Sequence, residues 1–147
     1  MQEKVIITKS AYENLLAHLV DFEERKNNII NSYFPEYNKQ RDEFEKLIDN
    51  YISTLDSVVK NVSFSEVSEN EFPFVCLNSL VEIEDVEENE IFNYMLIEPE
   101  ATNTQYDCIT ILSPMGKALL CKKKGEVFAV NAPSGIYRYR VRSIKLQ

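Results

Sequence analysis

The stretch from Ser10 to Asn61 contains no glycine, and Pro35 is its only proline. Its apolar residues recur three and four positions apart, a spacing that places them on one face of an α-helix. Pro35 suits the first turn of a helix, because its missing N–H would have no intrahelical partner there. The pattern therefore predicts two helices that fold back on each other, with the turn close to Pro35.

Each predicted helix carries one apolar seam. Ser10 and Glu13 match a capping box, which predicts the start of the first helix. Lys26 interrupts the first seam, whereas the second seam keeps the heptad spacing of a coiled coil. The seam residues are Leu15, Leu19, Phe22, Lys26 and Ile29, and then Phe44, Ile48, Tyr51, Leu55, Val58 and Val62. Helices of roughly 22 and 25 residues would be about 33 to 38 Å long. Such a hairpin either projects as an arm or packs on the rest of the chain.

Beyond the polar stretch from Ser63 to Glu71, the apolar period changes from helical to alternating. Ser113 as N-cap and Pro114 as first residue predict one short helix in this half, and Pro133-Ser134-Gly135 predicts a hairpin turn. The predicted strands are Val81–Asp85, Ile91–Ile97, Cys108–Leu112, Val127–Val130 and Tyr137–Ile144. The fold class is therefore α+β, with a helical hairpin at residues 1–70 and a small antiparallel sheet domain at residues 71–147.

The composition excludes several classes of site. Three glycines in the chain leave no Walker loop and no G-x-G-x-x-G turn. His18 is the only histidine, and Cys76, Cys108 and Cys121 are too far apart for a zinc half-site. We therefore expect no metal and no cofactor, and we expect His18 to be a surface or partly packed residue without a catalytic role. The N-terminus has no signal-peptide pattern and no apolar run is long enough to span a membrane, which predicts a cytoplasmic protein with reduced thiols.

The charge is unevenly distributed. The net charge of −8 argues against nucleic acid as the main partner, yet residues 108–147 carry 8 basic and 1 acidic side chains, against 0 and 10 in residues 71–107. The candidate basic face consists of Lys117, Lys122, Lys123, Lys124, Arg138, Arg140 and Arg142. Its arginines alternate with apolar residues, so they share one face of the last strand. This face either keeps a half-buried strand soluble or contacts an acidic surface or nucleic acid.

Five blocks of the second half recur together in one known family. They are N-S-L-V-E-I-E-D from Asn78, I-E-P-E-A from Ile97, S-P-M-G-K-A-L-L from Ser113, K-K-G-E-V-F-A-V from Lys123 and P-S-G-I-Y-R-Y-R-V from Pro133. In order and spacing they resemble the carboxyl-terminal domain of the Gre-type (GreA/GreB-like) transcript cleavage factors and the related Rnk-type regulators. The resemblance implies an FKBP-like fold for this half. The first half is similar in opening with T-K-S-A-Y-E-N-L before a helical hairpin.

The resemblance also implies a partner. In the Gre-type family the hairpin enters the secondary channel of bacterial RNA polymerase, and acidic residues at its tip help to hold a catalytic magnesium ion. By this resemblance the chain would dock on the channel rim near the loop that leads into Ser113, Pro114 and Met115, with at most indirect contact with nucleic acid in the transcription complex.

The candidate residues for the hairpin tip are Tyr33, Phe34, Glu36, Asp42 and Glu45. The family carries Asp and Glu three positions apart at its tip, and near the predicted turn this spacing occurs at Asp42 and Glu45, one to two turns down the second helix. We therefore expect a transcription factor that is not itself an enzyme and that does not strongly stimulate transcript cleavage. Tyr33 and Phe34 are either exposed or folded back onto the helices.

Two other functions remain open from the sequence. An FKBP-like fold would suit a peptidyl-prolyl isomerase, although the chain has no tryptophan and its aromatic residues are spread over both halves. A coiled-coil interaction module unrelated to transcription would require the five blocks to be coincidental.

Overall fold

The computed structural model describes residues 5–64, 72–99 and 105–146. The chain divides into two compact units, which we name the hairpin unit (residues 1–69) and the sheet unit (residues 70–147). The hairpin unit contains β1 (Val5–Ile7), α1 (Lys9–Tyr33), α2 (Lys39–Lys60) and β2 (Val62–Phe64). The sheet unit contains β3 (Ser79–Asp85), β4 (Ile91–Ile97), β5 (Cys108–Thr110), α3 (Pro114–Leu119), β6 (Val127–Ala132) and β7 (Gly135–Leu146). None of the helices in these described ranges is long and apolar enough to cross a membrane.

The core of the hairpin unit is the seam between α1 and α2, and the predicted helical hairpin is confirmed. The buried residues are Leu15, Leu19, Phe22, Ile29 and Ile30 on α1, and Phe44, Ile48, Tyr51, Leu55 and Val58 on α2. Burial of a leucine, isoleucine or phenylalanine side chain contributes about 1.5–3 kcal/mol relative to its exposure. This seam therefore holds the two helices together.

The ends of the helices differ from the prediction. Thr8 caps α1, since its hydroxyl oxygen accepts a hydrogen bond of 3.1 Å from the Ala11 N–H, and the capping box expected at Ser10 is wrong. Pro35 lies in the connecting loop, and α2 begins after Asn38, whose side chain accepts a bond of 3.0 Å from the Arg41 N–H. Asn and Thr satisfy first-turn amides much as Ser does, so neighbouring caps compete on nearly equal terms.

Polar side chains in the seam have partners within the hairpin unit. The Lys26 ammonium forms an ion pair with the carboxylate of Asp49 on α2, which explains how a lysine is accommodated in the first seam. His18 Nε2 lies 2.8 Å from the Tyr51 hydroxyl, and the His18 ring is 5.6 Å from that of Phe22. The histidine thus joins the two helices by a hydrogen bond, which is a structural role.

A two-stranded parallel sheet lies at the ends of the hairpin unit, and the sequence did not predict it. Strand β1 pairs with β2 in the register Val5↔Val62 to Ile7↔Phe64, with the helical hairpin as the crossover that parallel strands require. Val62, expected in the second seam, belongs to this sheet instead. Strands of three residues are too short to show an alternating pattern, so periodicity could not reveal them.

The sheet unit contains one five-stranded sheet in the order β5-β4-β3-β7-β6, and the five predicted strands are confirmed. Its neighbouring strands are antiparallel, except that the edge strand β5 runs parallel to β4. The core lies on one face of the central strands and includes Val81, Ile83, Val141 and Ile144, each fully or nearly fully buried. The predicted short helix is α3, which Ser113 caps and Pro114 opens.

Helix α3 packs very closely on the end of β5. A Cβ atom added to Gly116 would lie 1.9 Å from the backbone oxygen of Thr110, well inside van der Waals contact. The same oxygen accepts a hydrogen bond of 2.8 Å from the Ser113 hydroxyl. Glycine at position 116 therefore sets how close the helix can come to the sheet.

Candidate functional site

The turn between α1 and α2 is a short loop, residues 34–38, which we name the tip loop. Arg41 in the first turn of α2 closes it, because its Nη1 donates a hydrogen bond of 2.7 Å to the Phe34 carbonyl. The same guanidinium lies 4.3 Å from the centroid of the Tyr37 ring. The Phe34 ring packs on Phe44 of α2 at a centroid distance of 4.9 Å. The loop is therefore held in one arrangement by contacts within the hairpin.

The aromatic side chain that the tip exposes is Tyr37, with 88% of its surface accessible. Tyr33 and Phe34, the aromatic candidates from the sequence, are both half-buried, and Phe34 folds back onto α2. Sequence reasoning missed Tyr37. Its position between Pro35 and the capping residue Asn38, two loop-forming residues, is the signal that could have identified it.

The tip loop offers one carboxylate, that of the exposed Glu36. Asp42 and Glu45 are not in the loop but on α2, and a rise of 1.5 Å per residue places them about 6 and 10 Å along the helix axis from Asn38. Asp42 is exposed in the first turn of α2, where a negative charge suits the helix dipole. The structure therefore separates the D-x-x-E pair from the turn.

The tip loop does not contain the acidic pair that the resemblance implies for a donated magnesium site. Within the described residues, no group of three or more His, Cys, Asp or Glu side chains could hold a metal ion. At the tip, the Arg41 guanidinium occupies the space beside the loop and carries a positive charge. A cation held near Glu36 would be repelled by it.

The predicted docking residues lie at the start of α3. The Ser113 hydroxyl is engaged, since it accepts a bond of 3.0 Å from the Gly116 N–H and donates to Thr110. Pro114 is exposed, Met115 is half-buried, and Lys117 is exposed on the same short helix. Of the three predicted residues, Pro114 is thus the most accessible to a partner.

The candidate basic face divides into two groups. The arginines lie on β7 and form ion pairs with carboxylates of β3 and of the turn that follows it: Arg138 with Glu87 at 2.8 Å, Arg140 with Glu84 at 3.4 Å, and Arg142 with Glu84 at 3.1 Å and Glu82 at 3.7 Å. The lysines lie on α3 and in the segment before β6. Because the arginines are already paired, the observed contacts favour a solvated strand face for them.

Shifted pKa values occur away from the tip. A hydrogen bond from Arg25 lowers the pKa of Asp21, and a hydrogen bond to Asp56 raises the pKa of Lys60. Burial raises the pKa of Tyr139 on β7, and burial raises the pKa of the Cys76 thiol to about 12. These shifts have structural causes and mark no acid–base pair at the candidate tip or docking residues.

Comparison with known proteins supports one family. Residues 70–146 match the family described as "Transcription elongation factor, GreA/GreB, C-term". A GreA from Chloroherpeton thalassium is 28% identical over 159 aligned positions that cover 100% of both chains. A GreA from Syntrophobacter fumaroxidans is 31% identical over 103 positions, which cover 70% of this chain and 66% of that protein.

A solved structure has the same architecture. The GreA/GreB factor from Nitrosomonas europaea covers 97% of this chain and 99% of its own, with 23% identity and a TM-score of 0.55. This likeness supports the arrangement of a helical hairpin followed by a sheet domain. The family match spans more than half of the chain, and the resemblance inferred from the five sequence blocks is thereby confirmed: the protein belongs to the GreA/GreB family of transcription elongation factors.

Proposed function

We propose that this chain binds bacterial RNA polymerase at its secondary channel and regulates elongation without strongly stimulating transcript cleavage, and that it has no catalytic activity of its own. Membership of the GreA/GreB family supports a role in transcription. The helical hairpin supplies an element of the kind that the family inserts into the channel. The composition of its tip supports the second part of the proposal.

The observation that carries the proposal is the position of the acidic residues. Magnesium takes oxygen ligands at about 2.0–2.1 Å in nearly ideal octahedral geometry, so a donated carboxylate must stand at the leading end of an inserted hairpin. Here Glu36 is the one carboxylate at the leading end, and Tyr37 and Arg41, whose guanidinium lies over the Tyr37 ring, follow it in the sequence. Asp42 and Glu45 lie along α2 behind it. A hairpin of this composition would occupy a channel without completing a metal site.

The sheet unit supplies the docking surface in this proposal. Pro114 and Lys117 are exposed at α3, and Met115 is partly accessible beside them. Lys117 gives this short helix a positive charge, which would favour an acidic rim on the partner. The arginines of β7 contribute less, because their charges are already compensated by glutamates of the same unit.

Binding is tested by co-migration of the full chain with core RNA polymerase at micromolar concentration. We expect a complex that weakens when Pro114→Glu and Lys117→Glu are combined. Arg140→Glu, on the ion-paired face, serves as a surface-charge control and should weaken the complex less. The absence of any complex with the unaltered chain would contradict the proposal.

The chemistry is tested with a backtracked elongation complex, whose rate of transcript cleavage is measured with and without the full chain. We expect little acceleration by the unaltered chain, and no further loss with Glu36→Ala or with the double variant Asp42→Ala/Glu45→Ala. A large acceleration that either variant abolishes would overturn this part of the proposal and would identify the donating residues.

A further inference from the structure

Cys76 and Cys121, far apart in the sequence, lie on neighbouring segments of the sheet unit. The segment from Phe74 to Cys76 runs antiparallel to residues 121–123, with an isolated bridge between Phe74 and Lys123. The Val75 N–H donates to the Lys122 carbonyl at 2.8 Å, and the Cys121 N–H donates to the Val75 carbonyl at 2.9 Å. Cys121 and Lys122 thus both face Val75, which is the hydrogen-bond pattern of a β-bulge.

Cys121 occupies a backbone position that favours glycine. Its φ is +70°, and the first residue of this kind of bulge is usually glycine because a left-handed conformation crowds a Cβ atom. The chain nevertheless carries a side chain there, and that side chain is a thiol. A residue kept in a strained conformation is a reason to look for a function.

The hydrogen bonds place Cys121 beside the peptide bond that joins Val75 to Cys76. Cys121 donates its N–H to the Val75 carbonyl, whose carbon is bonded to the Cys76 nitrogen, so Cys76 is the residue next to the one that faces Cys121. A disulfide needs Cα atoms about 4.4–6.8 Å apart, and neighbouring segments joined by such hydrogen bonds approach to that range. The thiols are also close enough that a charge on Cys121 would raise the pKa of Cys76.

We propose that Cys76 and Cys121 form a reversible disulfide when the protein meets a peroxide. Neither is in a disulfide in this structure. Cys121 is half-exposed and reacts first: its thiolate attacks one peroxide oxygen, the O–O bond breaks, and hydroxide leaves, so that Cys121 becomes a sulfenic acid. The Cys76 sulfur then attacks the Cys121 sulfur, the S–O bond breaks, and the departing oxygen takes the Cys76 proton as water.

The different environments of the two thiols set this order of reaction. Cys76 is 1% exposed, and burial raises its pKa to about 12, with a weaker opposing effect from its hydrogen bond to Ser79. It therefore remains a protonated thiol that hydrogen peroxide does not reach directly. Two thiols and one peroxide yield one disulfide and two waters, and a small thiol reductant reverses the link.

The full chain is treated with micromolar hydrogen peroxide while folded and is then unfolded in denaturant, which makes the buried Cys76 accessible. Remaining thiols are alkylated, and the peptides are analysed by mass spectrometry without reduction. We expect a peptide pair linked through Cys76 and Cys121, a single alkylated site at Cys108, and three alkylated sites after treatment with dithiothreitol. Cys108 is the matched control, since it lies on β5 and donates to the Tyr106 carbonyl at 3.4 Å. Cys108→Ser should form the link as the unaltered chain does.

Cys121→Ser and Cys121→Gly should both abolish the link. The glycine variant suits the left-handed backbone at this position, so loss of the link in it cannot be attributed to misfolding. The proposal is overturned if the folded chain keeps three alkylatable thiols, if Cys121 becomes a sulfinic acid while Cys76 stays free, or if the link involves Cys108 or a second chain.

Discussion

The hairpin unit and the sheet unit differ in how each obtains its structure. The hairpin unit depends on one seam between two sequential helices, whereas the sheet unit depends on pairings such as β3 with β7, which lie far apart in the sequence. The family model matches residues 70–146 in the sheet unit, and the alignment with the Chloroherpeton thalassium GreA spans both units. The two units therefore belong to one family pattern but are stabilised by contacts of different range along the chain.

The two units also treat polar groups differently. The hairpin unit admits Lys26 and His18 into or beside its seam, each with a partner on α2. The sheet unit pairs glutamates of β3 with arginines of β7 on the solvated face of these strands, and its buried Asp85 accepts hydrogen bonds from backbone N–H groups of the following turn. Variants that change the packing or the charges of one unit at a time therefore test this difference.

The largest effect is expected from loss of an aromatic ring in the hairpin seam. Phe22 is fully buried, and its ring lies 5.4 Å from that of Tyr51. Phe22→Ala should lower the free energy of unfolding of the hairpin unit by about 3–5 kcal/mol, measured by denaturant titration with hydrogen exchange of α1 and α2. Val20→Ala, on the exposed side of α1, should cost less than about 0.5 kcal/mol. Equal costs would show that the seam is not the core.

The corresponding change in the sheet unit acts by crowding. Gly116→Ala places a methyl group against the Thr110 backbone, so α3 must move away from the sheet. We expect a loss of about 3 kcal/mol, read from hydrogen exchange of the sheet unit. Gly125→Ala is the matched control: its site is open but has a φ of +86°, so only backbone strain of about 1 kcal/mol applies. A Gly116 variant as stable as the control would refute the close packing.

The sheet unit should also lose stability in alkaline solution under reducing conditions. Burial holds the folded pKa of Cys76 at about 12 against an ordinary value of 9.0, so between these values the unfolded chain releases a proton that the folded chain keeps. The stabilising contribution is complete below pH 9 and falls as the pH rises, by about 1 kcal/mol per pH unit. Denaturant titration of Cys76→Ala should lack this slope, and Cys108→Ala should retain it.

The smallest effects concern the surface ion pairs. Glu84, with 18% of its side chain exposed, faces both Arg140 and Arg142, whereas Asp49 in the hairpin unit is 50% exposed and pairs with Lys26. Glu84→Gln should cost about 1 kcal/mol and Asp49→Asn about 0.5 kcal/mol or less, measured by thermal unfolding at low salt. Both costs should shrink at high salt. A larger cost for Asp49→Asn than for Glu84→Gln would show that the ion pair of the hairpin unit contributes more to stability than those of the sheet unit.

Much of the fold follows from periodicity. The seam from Phe44 to Val58 and the strands around Val81 and Val141 could be predicted because burial on one face imposes a fixed spacing along the chain. Helix ends were less predictable, since Thr8 and Ser10 are chemically similar caps and only the tertiary position of the first turn decides between them.

The candidate site was predictable only in part. The sequence indicates a turn near Pro35 and an acidic pair displaced from it, but not that Arg41 reaches back to the Phe34 carbonyl and covers Tyr37. The arginines of the basic face were assigned to one face of β7 from the alternation in that strand alone. Its neutralisation by Glu84 depends on the register between β3 and β7, which no local pattern in either strand specifies.

The small parallel sheet of β1 and β2 has a mechanical consequence. Strand β1 begins at Val5 and leads into α1, β2 follows α2 and ends at Phe64, and the two strands point the same way. Tension applied to the two ends would slide one strand along the other and load its backbone hydrogen bonds together, rather than peel them apart one after another. The pairing of β1 with β2 is thus loaded in shear, and it resists separation of α1 and α2 at the end of the hairpin where these strands lie.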